Sequence, residues 1–468
     1  MTGAMFEKLA RTGEVKLDGA TITSKVDLSD GPVAKTFTCL NCRFQQAFVA
    51  VDTTFGSLVD VRGSTFAGNV DFAKANFTAQ AVFGSPSSVT RFAASTDFSL
   101  ATFHDLATFE DAIFQERDAK AARKSCDATV PDTTDFQLAR FDAGATFATD
   151  AIYGDADFRR ALFTGTADLS NMRFLQQAMF DGTEFQGAVN LGAGNFKCSS
   201  SFESARLDKG ASFVATTFPA QSDAPDISDS FQGLQCGGTL DFSFAELGRS
   251  VSFKNMVVNG GITFHGAKLM SNGEVTWANV AATSLDMDVG QAKKAIDSTD
   301  LPTVLADIES SAKASGDLGR ANDADYELKV LASNQRGWFG HAVDVVFYRT
   351  MAGYLVRPLQ PLAALLILAA IMTLVHAGRK AWPHPAATSR GWWNRCKSEA
   401  GRIRRILPPL GTAYLETLAL VVPGKGPSPS QRPIRWLEVI AYRLLFVCML
   451  IGLANTNPTL RQMLDAIR

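Results

Sequence analysis

The side chains able to do chemistry are few and scattered. Five histidines, His104, His265, His341, His376 and His384, show no metal-ligand spacing, and His384 sits between Pro383 and Pro385 in a loop. Cys39-Leu40-Asn41-Cys42 is the one C-x-x-C, and without a second pair it reads as neighbouring thiols of a reduced compartment. Seven cysteines in all, an odd number widely spread, do not make a disulfide framework. The chain carries no Walker A loop, no G-x-G-x-x-G after a strand and no nucleophile elbow. No catalytic, cofactor-binding or metal residue is therefore assigned, and the expected function is non-enzymatic.

Ionisable groups in the apolar C-terminal part are the remaining candidates, because charge inside a membrane is costly unless it is used. Glu438 and Arg443 fall in one apolar stretch, five residues apart, a spacing that does not share a helix face well. Glu438 is read as interfacial and Arg443 as snorkelling or binding a lipid phosphate. Tyr414 and Glu416 would line a polar cavity. Arg402, Arg404 and Arg405 belong to a basic loop, 379–405, suited to anionic lipid headgroups.

The elements that would hold these residues are read from hydropathy. Pro358–Ala377 and Ile434–Ala454 are each long enough to cross a bilayer core of about 30 Å. Leu410–Val422 is too short to span and reads as re-entrant or interfacial. Charge is polarised accordingly: residues 1–285 carry 23 Lys+Arg and 32 Asp+Glu, whereas 354–468 carry 15 and 4. The positive-inside rule would put loop 379–405 in the cytoplasm and the N-terminal part outside. Exporting roughly 350 residues with no N-terminal signal is the harder requirement. The expectation is an integral protein of a bacterial inner membrane with its N-terminal domain in the cytoplasm.

That domain is a repeat. Phe136, Phe147, Phe158, Leu169, Phe180, Leu191, Phe202 and Phe213 recur every eleven residues, interleaved by Phe141, Ile152, Phe163, Phe174, Phe185, Phe196, Leu207 and Phe218. Centres five apart on a helix lie roughly 140° from each other, so no single face would be apolar. The residues between them are turn formers, and short strands joined by tight corners fit better. A small residue two before the ring, as in Ala101-Thr102-Phe103, Ala107-Thr108-Phe109, Ala156-Asp157-Phe158 and Ala211-Ser212-Phe213, points to the same side as the ring. Breaks in the beat mark three excursions: Gly84–Ser88, Gln115–Asp135 with a short exposed helix in 116–124, and Pro219–Thr239.

With these units the chain resembles the pentapeptide-repeat family in its Phe-centred variant, over roughly residues 13–285. The resemblance implies an all-β right-handed quadrilateral β-helix, four short sides and about 22 residues per coil. About twelve coils spaced ~4.8 Å apart would make a rod on the order of 58 Å long. The domain organisation expected is an N-terminal cap (1–12), the β-solenoid (13–285), a helical linker (286–353) and a membrane region (354–468).

In the linker, Asp300-Leu301-Pro302 reads as a helix start, with Val304, Leu305 and Ile308 at helical spacing. Gly316-Asp317, Ala321-Asn322, Tyr326 and Lys329 are similar to the segment that joins solenoid to membrane helices in membrane-attached pentapeptide proteins. The membrane region resembles a two-helix potassium-channel module, with Gly353-Tyr354-Leu355-Val356-Arg357-Pro358 before the first span. The short segment nevertheless ends Val421-Val422-Pro423-Gly424-Lys425-Gly426, which lacks a carbonyl-ladder filter.

The function expected is a membrane-anchored scaffold for an unidentified protein partner, with anionic lipid as the second contact. One alternative is a solenoid regulating an ion-channel-like or sensory module, for which homo-oligomer formation is expected. Another is a DNA-mimicking topoisomerase inhibitor, for which the acidity of 1–285 is modest; nucleic acid itself is not expected as a partner. Replacing Phe174 or Phe185 by Ala is expected to be costly, and a change at Gln176, read as outward, to matter little.

Overall fold

The computed structural model describes residues 1–335 except 125, 127–131, 221–226 and 270–274, together with a few helical residues within 362–371 and 440–447. Two compact units divide at Ser311 and Ala312. The first is a parallel β-solenoid. Each coil has four short sides, seen at the N-terminus as Val15–Asp18, Thr21–Ile22, Val26–Asp27 and Pro32–Val33, before Phe37–Leu40 begins the next turn. Each side pairs in parallel with its equivalent 22 residues on, as Val15 with Phe37 and Phe44 with Phe66.

The second and third sides each stack eleven strands, so the solenoid has eleven turns and not twelve. The difference lies in the excursions. Thr96 pairs with Thr134, and Ser200 with Asp229, so these insertions consume length without adding a turn.

The corner chemistry explains the beat. In Asp71-Phe72-Ala73-Lys74-Ala75 the Asp71 carboxylate accepts the Ala73 N–H at 3.0 Å, Lys74 takes a left-handed φ of 59°, and Ala75 N–H donates to Phe72 C=O at 2.9 Å. The same Asp-to-i+2 contact recurs at Asp27, Asp60, Asp97, Asp135, Asp157, Asp168 and Asp241. Much of the rod's acidity is thus a turn-forming device. Burial, partly offset by the Ala73 N–H and Gln137 N–H contacts, raises the Asp71 and Asp135 carboxyls above their ordinary range, and neighbouring aspartates add to it.

The tube is filled by stacked rings. Phe77, Phe103, Phe141, Phe163 and Phe185 lie nearly parallel at 4.6, 4.9, 4.6 and 4.8 Å between centroids. The small residues two before the rings are inside as expected: Ala101, Ala107, Ala156 and Ala211 are all buried. Where that position is hydroxylic, the hydroxyl donates to a carbonyl of the preceding coil, as Thr53 to Leu28 and Thr183 to Phe158 at 2.8 and 2.7 Å.

Helix α1 (Gly3–Thr12) closes the first coil. Phe6 inserts edge-on among Phe37, Phe44 and Phe48, and Glu7 accepts the Asp27 N–H at 2.7 Å, which leaves that edge without a free donor there. At the other end, α3 (Val289–Ala295) is followed by a bridge from Ile296 to Val275, and then by α4 (Leu301–Ser315). Val304, Leu305 and Ile308 are buried. The Asp300 carboxylate accepts the Trp277 N–H at 2.8 Å, tying the start of α4 to the last coil.

In the second unit, α5 (Leu318–Asn334) is capped by Asp317, whose side chain accepts the Arg320 N–H, and Lys329 pairs with Asp325 one turn back. Among the described residues no helix is long and apolar enough to cross a membrane. Segments 358–377, 410–422 and 434–454 lie, but for a few helical residues, outside the described part.

Candidate interaction surface

The excursion that starts at Gln115 is anchored at its neck. Gln115, with φ 51°, is wholly buried, donates to the Thr134 hydroxyl and accepts the Gly154 N–H at 3.0 Å. Arg117 pairs with Asp132 at 2.5 Å, and Ser95 donates to the same carboxylate. Beyond the neck runs α2 (Ala119–Lys124), the helix expected from the sequence. It is not mere exposed decoration. Ala122 is fully buried against Ala151 and Tyr153, with Ile113, Ala119 and Leu175 around it. Lys197 Nζ donates to the Ala122 carbonyl at 2.7 Å, and a disulfide joins Cys126 to Cys198.

Two sequence readings are corrected here. Cys39–Cys42 and Cys126–Cys198 are disulfides, not pairs of thiols, and Cys236 is the free cysteine among the described residues. Gln176 is buried, 3 % exposed; its counterpart on the same side five coils earlier, Gln46, is exposed.

The second excursion returns beside the same corner through a buried ion pair. Arg249 is 4 % and Asp229 0 % exposed. The guanidinium grips the carboxylate at 2.6 and 2.7 Å and donates to the carbonyls of Phe196, Lys197, Cys198 and Pro219. Asp229 also accepts from Ser200 N–H and hydroxyl. Burial pushes the Asp229 carboxyl up, against the pull of Arg249. A charge pair this dry needs every donor and acceptor satisfied, and the carbonyls supply that.

A different feature sits further along the rod. Among the described phenylalanines Phe244 alone is exposed, at 61 %. It occupies a left-handed corner, φ 58°, in a column otherwise held by residues such as Gly63, Asn171, Ala193, Ala215 and Gly266. Its ring lies over Gly266, where a Cβ would come within 2.7 Å of it, and edge-on to His265 at 5.7 Å.

Between the last coil and α4 lies a cavity of about 50 Å³, lined in part by Trp277, Leu285, Asp307 and Ser310. It has room for a water or two. Burial raises the Asp307 carboxyl, and Trp277 Nε1 has no hydrogen-bond partner among the described residues.

Of the residues singled out from sequence, Arg443 is helical and half-buried, and its Nε makes no hydrogen bond among the described residues. Tyr414, Glu416, Glu438, Arg402, Arg404 and Arg405 lie outside the described part. No group of three or more metal-binding side chains occurs among the described residues. The stapled corner and Phe244 were not found from sequence; for Phe244 the signal was there, a ring off the eleven-residue beat.

No family model matches this chain, and no curated protein sequence matches it. Among solved structures it is similar to HetL, a pentapeptide repeat protein involved in heterocyst differentiation regulation from the cyanobacterium Nostoc sp. strain PCC 7120. That likeness has a TM-score of 0.31 and 11 % identity, and covers 61 % of this chain and 96 % of HetL. It is too slight to carry an inference, and the β-solenoid described above stands on the chain's own strand pairing.

Proposed function

We propose that this chain is a non-enzymatic interaction scaffold of the pentapeptide-repeat type, held at a bacterial inner membrane by its C-terminal region with the solenoid in the cytoplasm. The observation that carries the scaffold reading is Phe244. The left-handed corner itself is shared with Lys74, Leu100, Leu138 and others; what sets Phe244 apart is a phenylalanine ring 61 % exposed there. Every other described phenylalanine is buried, so Phe244 is the phenylalanine left for a protein partner. The apolar segments 358–377 and 434–454 and the basic loop between them support attachment to anionic lipid.

The test is fractionation of the full chain against a chain ending at residue 335. The full chain is expected to stay with membranes after alkaline extraction and the shorter one to be released. Release of both removes the anchor. Sidedness is read with a Phe244→Cys reporter against Cys396: labelling of the reporter only from the cytoplasmic side supports the placement, and labelling only from the other side reverses it. In vivo crosslinking from a photoreactive residue at 244 is expected to trap a protein that the same probe at Lys209 does not.

A further inference from the structure

Within the solenoid each side of a coil is covered by its equivalent in the next, and at the final turn other groups must take over. Described contacts close two sides. Ile296 bridges to Val275 and Asp300 accepts the Trp277 N–H at 2.8 Å, which closes the third side; Ser311 Oγ accepts the Leu285 N–H at 2.7 Å, which closes the first. The strand Ala281–Asp286 runs from the fourth side into the first, and its opening residues Ala281, Ala282, Thr283 and Ser284 are all exposed. We propose that this edge receives an extended segment of a partner protein by parallel strand addition, with a serine or threonine of that segment seated in the cavity beside Trp277 and Asp307.

The backbone defines the occupant. Ala281 N–H donates to the Met256 carbonyl of the preceding coil at 2.9 Å. Successive residues of a strand turn their backbone groups to opposite neighbours, so Ala282 presents its N–H and C=O to the open edge. Another extended backbone matches such a row. The exposed stretch holds alanine, threonine and serine, without the lysine, proline or inward charge that blunts natural edges.

The cavity lies in register with that addition. Inward residues on this side stack as Phe185, Leu207, Cys236, Val258 and Ala282, each on its equivalent in the preceding coil. The column narrows from a ring to a methyl, and Ala282 itself lines the cavity, so the next inward side chain falls into it. Room for a water or two is room for a hydroxyl-bearing side chain and not for a ring. Trp277 is 1 % exposed, and its Nε1 is an unused donor among the described residues. Asp307 lines the same cavity. A hydroxyl answers both, accepting from an indole N–H and donating to a carboxylate; an aliphatic group does neither and an ammonium cannot accept. The site is separate from Phe244 and needs no membrane placement, so either reading can fail alone.

The experiment titrates the full chain in detergent micelles with a fluorescent peptide that copies residues 256–264 and is flanked by lysines. The strand Val257–Thr263 already pairs in parallel with Ala281–Asp286 on its other edge. Three versions carry Val, Thr or Phe at the position of Val258. The Thr version is expected to bind about fivefold more tightly than the Val version. Phe overfills the cavity and is expected to cost roughly tenfold or more. Ala282→Leu fills the cavity from the protein side and is expected to weaken the Thr peptide by about tenfold, with an unchanged far-UV spectrum showing the solenoid intact. Trp277→Phe keeps a ring and removes the donor, and is expected to bring the Thr and Val peptides within about twofold of each other. Absence of saturable binding by the Thr peptide up to about 1 mM overturns the proposal. So does an affinity that Ala282→Leu leaves within about twofold of the parent's. Dimers of the full chain that Ala282→Leu breaks and the peptide cannot displace also overturn it, and make a second copy the occupant.

Discussion

Along the side that carries Phe77, Phe103, Phe141, Phe163 and Phe185, each coil adds one ring to a stack and meets only its neighbours. At the corner of Lys197 and Cys198, four segments distant in sequence converge on one guanidinium, one carboxylate and one disulfide. The stack is redundant: its energy is spread over equivalent rings. The corner is not. Loss of a single polar partner there strands the others in a dry site. The comparison teaches that the repeat supplies stability, while the departures from it supply individuality.

Two substitutions of similar size and different rescue test this. Phe163→Ala is expected to cost about 3–5 kcal/mol by opening a cavity, and a like figure is expected for Phe185→Ala in urea melts. Arg249→Ala is expected to cost about 3–5 kcal/mol because it leaves Asp229 charged and unpaired. Adding Asp229→Leu should return most of that loss, whereas no second change should rescue Phe163→Ala. A corner variant that cannot be rescued would put the corner on the same footing as the stack.

A smaller effect depends on pH. Asp150 occupies the small-residue position two before Ile152, accepts the Ala112 N–H at 2.8 Å, and has its other oxygen buried without a partner among the described residues. Burial pushes its carboxyl well above the ordinary range, against the Ala112 hydrogen bond, and the charges of Asp111 and Glu110 add to it. A folded-state value raised in this way destabilises the ionised protein. Stability from this group therefore rises as pH falls through the folded value and levels off below the ordinary carboxyl value. Asp150→Asn should raise the melting temperature at neutral pH and flatten that slope; an unchanged slope would assign it to Asp71 and Asp135 instead.

The smallest effect is expected at Phe244. Asn tolerates the left-handed corner, so Phe244→Asn should stabilise the fold by about 1 kcal/mol or less in urea melts. Destabilisation would make the ring a structural clamp on Gly266.

The coil period, the inward alanines, the excursions and the helix at 119–124 were legible because each is written in local spacing. The number of turns was not, since insertions are counted as repeat until pairing shows that Thr96 meets Thr134. Gln176 misled for a related reason: its own neighbours in sequence mark an outward position, whereas the fold brings Cys198 of the next coil against it. Arg249 looks like any surface arginine after a glycine, and Cys126 and Cys198 carry no spacing rule that joins them.

The 22-residue register has a consequence for length. Because each side pairs only with its equivalents in the coils on either side, removing or duplicating one whole coil leaves both ends chemically unchanged. Such an edit moves the end closed by α1 relative to the end closed by α4 by a step of ~4.8 Å. The solenoid is thus a ruler graduated in single coils, and the distance between its capped ends is set by counting them.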